Sequence, residues 1–239
     1  MREITEIWVY LAAEPLLWLT MTLAAYAVAF RIAVLSGNHP LVNPVVLSAA
    51  FLVCVLEISD TSFETYFEGA QFIHFMLGPA TVALAVPLVR NAKEVRRKLP
   101  AIVCALVAGS VTAVVSVVLV AQMLDAPPAV VASLAPKSAT MPIAMSLSET
   151  LGGIPALTAV LVITTGILGA IIVTPLMNAM RITDYAARGF AVGLTSHGIG
   201  TARAFTVNQT AGLFAGIGLG LNSLMTVFVV PPLMDLLAG

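Results

Sequence analysis

The sequence alternates between long apolar runs and short polar breaks, and the run lengths are those of membrane-crossing helices. A helix needs about 20 residues to cross a hydrocarbon core about 30 Å thick. Pro15–Leu35 is the first such run and Pro44–Ile58 a second, shorter one. An acidic stretch follows, in which Glu57, Asp60, Glu64 and Glu68 alternate with Phe63, Tyr66, Phe67 and Phe72; such aromatics suit the membrane-water boundary. Residues 73–89 are apolar but divided by Gly78-Pro79. Residues 100–124 and 155–180 are full spans, the latter containing Gly166 and Gly169, and 210–237 closes the chain.

Two segments are too polar and too broken by proline or glycine to be plain spans: Ala135-Pro136-Lys137-Ser138-Ala139-Thr140-Met141-Pro142 and Ser196-His197-Gly198-Ile199-Gly200-Thr201. Non-helical backbone at membrane depth persists where protein or a water-filled cavity satisfies its polar groups. Pro136 and Pro142 remove donors and disfavour the α conformation before them, so Ala135 and Met141 are expected to be extended or bent. Gly198 and Gly200 are expected to supply permissive backbone. Half-helices whose N-termini point inward would bring free amides and positive dipole ends to one place, where an anion can sit.

The resulting expectation is an all-α polytopic membrane protein. It has about six to eight transmembrane or re-entrant helices, with broken helices at 73–89, 129–150 and 185–207. The chain reads as a single integral membrane domain over 1–239. Laying residues 77–84 over 197–204 suggests an internal repeat with halves at 42–124 and 153–238, an arrangement common among secondary transporters.

Composition agrees. The chain is 59% hydrophobic and 10% charged, against about 25% charged in soluble domains, so polar surface is too scarce for a water-soluble globule. A net charge of −1 without a basic stripe argues against nucleic acid. Cys54 and Cys104 lack metal or redox spacing and read as small buried hydrophobes; no metal site is expected. The N-terminus carries Glu3, Glu6 and Glu14 against Arg2 alone, so the first run reads as a retained span and not a cleaved signal. Residues 90–98 pack five cations into nine positions, which the positive-inside rule assigns to the cytoplasm. If Asp125 is then outside and Arg181 and Arg188 inside, the Lys137 segment turns back as a hairpin; if it crosses, those arginines fall outside. The hairpin agrees better with the charge rule.

Between positions 100 and 180 the charged residues are Asp125, Lys137 and Glu149. A cation at bilayer depth costs roughly 2.5–3.5 kcal/mol on insertion scales and persists beside a cavity, counter-charge or substrate. Lys137 is therefore the candidate partner of a substrate carboxylate, with snorkelling or a bridge to Glu149 as the structural alternative. Ser138 and Thr140 can donate hydroxyl hydrogen bonds to an anion or cap a half-helix. His197 can be a proton-linked group or a hydrogen-bonded structural residue, and Arg203 can hold a carboxylate bidentately or sit at the membrane boundary. Asn43, Thr81 and Thr201 can line a cavity or join helices, with Gly78, Pro136, Ser196, Gly198 and Gly200 supplying irregular backbone. Nucleophile-elbow, Walker and zinc signatures are lacking, so no enzyme activity and no cofactor are expected. Glycines 212, 216, 218 and 220 would suit close packing in a carrier or a pore.

Five ordered segments carry a family resemblance: Asn43-Pro44; residues 77–88, beginning Leu77-Gly78-Pro79-Ala80-Thr81; Pro136-Lys137-Ser138-Ala139-Thr140-Met141-Pro142-Ile143-Ala144; Gly152-Gly153-Ile154-Pro155-Ala156-Leu157-Thr158; and residues 196–204, beginning Ser196-His197-Gly198. From about Asn43 to the C-terminus the chain resembles the LrgB/CidB family. That resemblance implies a multi-pass bacterial inner-membrane protein, often encoded with a small LrgA/CidA-type partner. It also implies one of two functions. Plant plastidic relatives resemble glycolate/glycerate translocators and some bacterial pairs are linked to pyruvate uptake, which suggests transport of small monocarboxylates and 2-hydroxy acids such as glycolate, glycerate, pyruvate or lactate. The alternative is a holin/antiholin-like modulator of murein hydrolase export, lysis or permeability. The expected partners are an organic-acid anion, the lipid bilayer and a second copy of the chain, as a homodimer or higher oligomer, with proton or sodium as coupling ion.

Overall fold

The computed structural model describes residues 15–37, 39, 42–76, 79, 89 and 92–238. These form nine helices and no strand, in two compact units, Met1–Val86 and Pro87–Gly239. Four helices are long and apolar enough to cross a membrane: Pro15–Leu35, Val95–Met123, Pro155–Ala179 and Gln209–Leu237. The acidic N-terminal residues 1–14, Gly78, Thr81 and the repeat register at 77–84 lie outside the described residues, as does most of the expected broken helix at 73–89.

In the first unit, α1 (Pro15–Leu35) packs on α2 (Pro44–Ile58) and α3 (Phe63–Phe75). Trp18 is fully buried, its ring set edge-on to Tyr66 at 5.9 Å. Gly69 allows α3 to approach α1: a Cβ there would lie 2.1 Å from the Pro15 carbonyl oxygen. Asn43 caps α2, its Oδ1 accepting from Val45 N at 2.9 Å and Val46 N at 3.4 Å.

The second unit comprises α4 (Ala92–Met123), α5 (Pro128–Leu134), α6 (Met141–Thr150), α7 (Pro155–Ala179), α8 (Tyr185–Val207) and α9 (Gln209–Ala238). Seven and ten residues give α5 and α6 lengths of about 10 and 15 Å, too short to span. They fold back on each other. Thr158 Oγ1 lies 3.1 Å from the Ser133 carbonyl and 2.7 Å from Ser148 Oγ, and Ile154 N donates to Ser133 Oγ at 2.8 Å. A straight helix would hold residues 133 and 148 about 22 Å apart.

Helix α8 is also a hairpin. Ser196 (φ −124°, ψ 15°) and His197 (φ 39°, ψ −133°) leave helical geometry and divide it into arms α8a (185–195) and α8b (198–207). A Cβ on Gly200 would lie 3.1 Å from the Val192 carbonyl oxygen, whereas eight residues of continuous helix rise about 12 Å. The order of the unit is thus span, hairpin, span, hairpin, span. The Lys98 ammonium bridges Asp184 at 3.0 Å, so the start of α4 and the start of α8 share one end, and this hydrogen bond holds the Asp184 carboxyl below its ordinary pKa. At the other end Gln122 donates to the Leu237 carbonyl at 2.7 Å. The α5–α6 hairpin therefore enters from one end of the unit and the α8 hairpin from the opposite end, and the Lys137 segment turns back as the charge rule favours.

Three sequence expectations are corrected. Ala135 keeps helical dihedrals (φ −53°, ψ −46°) because its N–H still bonds Val131 O, and the extended residue is Thr140 (φ −64°, ψ 148°). In the second break the positive φ falls on His197, while neither Gly198 nor Gly200 has one; Gly200 is needed instead for close approach, since its Cβ would lie 2.5 Å from Ser196 Cβ. Cys54 and Cys104 are exposed on helix surfaces, not buried. Lipid is an apolar solvent, so a small hydrophobe has no need of the interior.

Candidate functional site

Both hairpin apices meet at α9. Asn222, 1% exposed in the middle of that span, donates from Nδ2 to Ser138 O at 3.0 Å and to Leu194 O at 2.9 Å, and accepts from Ser110 Oγ of α4 at 2.6 Å. One side-chain amide thus joins the first apex, the end of α8a and a spanning helix. The adjacent Ser223 Oγ accepts from Thr140 N, at the start of α6, at 3.4 Å. A second junction forms at Val162 of α7, whose side chain packs on Ala139 and Ala144 and whose carbonyl bonds His197 Nε2 at 2.8 Å. A carbonyl only accepts, so Nε2 carries the proton and Nδ1 remains an acceptor in the neutral ring.

Glycines on α7 make room for the second break. A Cβ on Gly166 would lie 2.6 Å from His197 Cε1, and one on Gly169 would overlap Ser196 Oγ at 1.7 Å. Thr201 Oγ1 donates to the His197 carbonyl at 2.8 Å, the i to i−4 back-bond of a helical threonine in the first turn of α8b.

Lys137 sits between Pro136 and Ser138 in the first apex, half-buried. Its ammonium has no hydrogen-bond or ion-pair partner among the described residues, and Glu149 is exposed near the far end of α6 and does not pair with it. The N-termini of α6 and α8b both begin at these apices, so positive dipole ends and one ammonium face the same junction. Chemically, such a place favours a small anion.

The structure brings Pro136, Lys137, Ser138 and Thr140 together with Ser196, His197, Gly200 and Thr201 around this junction; Gly198 lies beside it with open space next to its Cα. Arg203 is separated from it, on the part of α8b that faces the opposite end of α7. Asn43 belongs to the first unit, where it serves as a helix cap. The residues that the sequence did not single out are Asn222, Ser110 and the carbonyl of Val162. Only Asn222-Ser223 left a trace, as two polar positions inside an otherwise apolar span.

The profile of the LrgB-like family matches residues 22–236. The chain is 35% identical over 193 residues to the uncharacterized protein YwbG of Bacillus subtilis, covering 81% of this chain and 86% of that one. It is 30% identical to the antiholin-like protein LrgB of Bacillus mycoides and 29% identical to the holin-like protein CidB of Staphylococcus epidermidis, in both cases over 92% of this chain and 96% of the relative. No solved structure matches it.

Proposed function

Because the chain belongs to the LrgB-like family and is a polytopic helical membrane protein, we propose that it is an inner-membrane carrier of small monocarboxylates and 2-hydroxy acids. The anion would sit at the junction of the two hairpin apices. One observation carries the proposal: the Lys137 ammonium, unpaired, stands where two broken segments entering from opposite ends meet. An isolated ammonium at membrane depth is costly, and a substrate carboxylate removes that cost while it is bound. Ser138 and Thr140 would address a 2-hydroxyl, and His197 would exchange a proton with the site if the coupling ion is H+ and not sodium. A small LrgA/CidA-type subunit and a homo-oligomeric assembly belong to the same reading.

The printed names of the relatives favour a second reading, a holin-like or antiholin-like role in membrane permeability and lysis, and they support it more directly than they support carriage of any substrate. Proteoliposomes separate the two. A carrier takes up labelled glycolate, pyruvate or lactate saturably, with mutual competition, and Lys137→Ala lowers uptake about tenfold or more, the scale of a lost charge-assisted contact. Release of unrelated solutes graded only by size, unchanged by Lys137→Ala, would establish the pore instead.

A further inference from the structure

The charged side chains of the second unit are sorted by end. Lys98 bridges Asp184, which places the start of α4 and the turn between α7 and α8 at one end. Lys93, Arg96, Arg97, Arg181 and Arg188 belong to that end, and residues 93–98 set four cations against Glu94 alone. Asp125, Glu149 and Asp235 are exposed at the other end, which carries no lysine or arginine among the described residues.

The cations of α4 divide between its faces. Lys98 shares the inward half of the helix with Val95, Ile102 and Leu106, its ammonium on Asp184 and 5.5 Å from the centre of the Phe214 ring. Lys93, Arg96 and Arg97 are exposed, and none has a hydrogen-bond or ion-pair partner among the described residues. At 3.6 residues per turn these three fall on the opposite half, in line with Val103, Cys104 and Val107, which are exposed as well. An exposed apolar flank on a membrane-crossing helix faces hydrocarbon, so the three cations stand directly above lipid. About 20 residues of the apolar run 100–124 fill the hydrocarbon core, which leaves Arg96 and Arg97 roughly a turn outside it and Lys93 a further turn out. The headgroup layer, about 5–8 Å deep on each side, lies at that level.

We propose that this flank of α4 is a docking surface for anionic phospholipid, with Lys93, Arg96 and Arg97 as ligands of the headgroup phosphate and Val103, Cys104 and Val107 against the acyl chain. The guanidinium fork matches two phosphate oxygens, and long cationic side chains reach from the hydrocarbon boundary into the polar layer. A soluble polyanion would have to approach across the bilayer surface, whereas lipid phosphates already stand at this depth beside the apolar strip that their acyl chains cover. The surface does not depend on whether the chain carries solutes.

The full chain is placed in nanodiscs of equal parts phosphatidylglycerol and phosphatidylcholine, and the lipids it retains on release are counted by native mass spectrometry. The unsubstituted chain is expected to keep phosphatidylglycerol in preference to phosphatidylcholine. A cation near an anionic surface is worth about fivefold, so Lys93→Gln/Arg96→Gln/Arg97→Gln lowers phosphatidylglycerol retention about tenfold or more and leaves phosphatidylcholine unchanged. Arg96→Gln alone, expected to cost about fivefold, serves as the test if the triple variant does not fold. Arg181→Gln removes an exposed cation from the same end but not from this flank, and retention is expected to stay as it was. The proposal is overturned if the unsubstituted chain holds both lipids alike, or if the triple variant, or Arg96→Gln in its place, holds phosphatidylglycerol as tightly as the parent. It is overturned too if Arg181→Gln costs as much as the triple substitution, which would mean a diffuse field and not this surface. Dimers that dissociate in the triple variant while lipid retention is unchanged would likewise overturn it, by giving the face to a second copy of the chain.

Discussion

Replacing Asn222 by leucine leaves the Ser138 and Leu194 carbonyls and the Ser110 hydroxyl without the partner they share. Each such buried group costs about 1–3 kcal/mol in soluble proteins, while measured interhelical hydrogen bonds in membranes average about 0.6 kcal/mol. The expected destabilisation is therefore about 1–3 kcal/mol in total, read as a shift of the unfolding midpoint in mixed micelles. Lys137→Met gives the contrasting result. It removes no hydrogen bond or ion pair among the described residues, so stability is unchanged or raised, while anion uptake falls under the carrier proposal. A fall in stability as large as that of Asn222→Leu would make Lys137 a structural residue. Legibility at this scale followed charge: Lys137 was visible because nothing near it in sequence could neutralise it, whereas Asn222 looked like an ordinary polar interruption until the carbonyls around it were in place.

At the scale of elements, α8a and α9 approach closely because glycine faces backbone. A Cβ on Gly189 would lie 2.0 Å from Ala211 O and one on Gly193 would lie 1.9 Å from Ala215 O. Neither carbonyl can rotate away, so Gly193→Ala forces the helices apart at about 1–3 kcal/mol, the range for overpacked cores. Gly220 has open space beside it, and Gly220→Ala is expected to be neutral or stabilising by about 0.5–1 kcal/mol. Thermal unfolding of the two variants checks this, and equal midpoints would remove close packing as the reason for these glycines. The broken helices at 129–150 and 185–207 were legible from proline, glycine and polar residues in apolar surroundings. Their internal geometry was less so: Ala135 stays helical and His197 takes the positive φ, because hydrogen bonds to Val131 O and Val162 O outweigh local preference.

At the scale of the whole second unit, the two hairpins predict sidedness. In a background with Cys54 and Cys104 replaced, Asp125→Cys and Gly152→Cys should react with a membrane-impermeant maleimide from the same side, and Arg181→Cys from the other. Labelling of 125 and 152 from opposite sides would mean that α5 and α6 together cross the membrane, contrary to the meeting of Ser133 and Ser148 at Thr158. The same pattern is what the carrier proposal draws on. Hairpins entering from opposite ends put their irregular backbone, and the charges it carries, at one depth, as in transporters whose sites lie between discontinuous helices.

Lipid as solvent, helical spans, the positions of the breaks and the isolation of Lys137 were determined by the sequence alone, because each depends on local composition and on the cost of unsatisfied polar groups in hydrocarbon. Tertiary structure decided that 128–150 turns back, that both apices share Asn222, and that Arg203 lies away from the Lys137 junction. Those outcomes depend on contacts between residues far apart in the chain, such as Ser138 with Asn222 and Val162 with His197. No local pattern encodes which distant carbonyl an amide or imidazole will find.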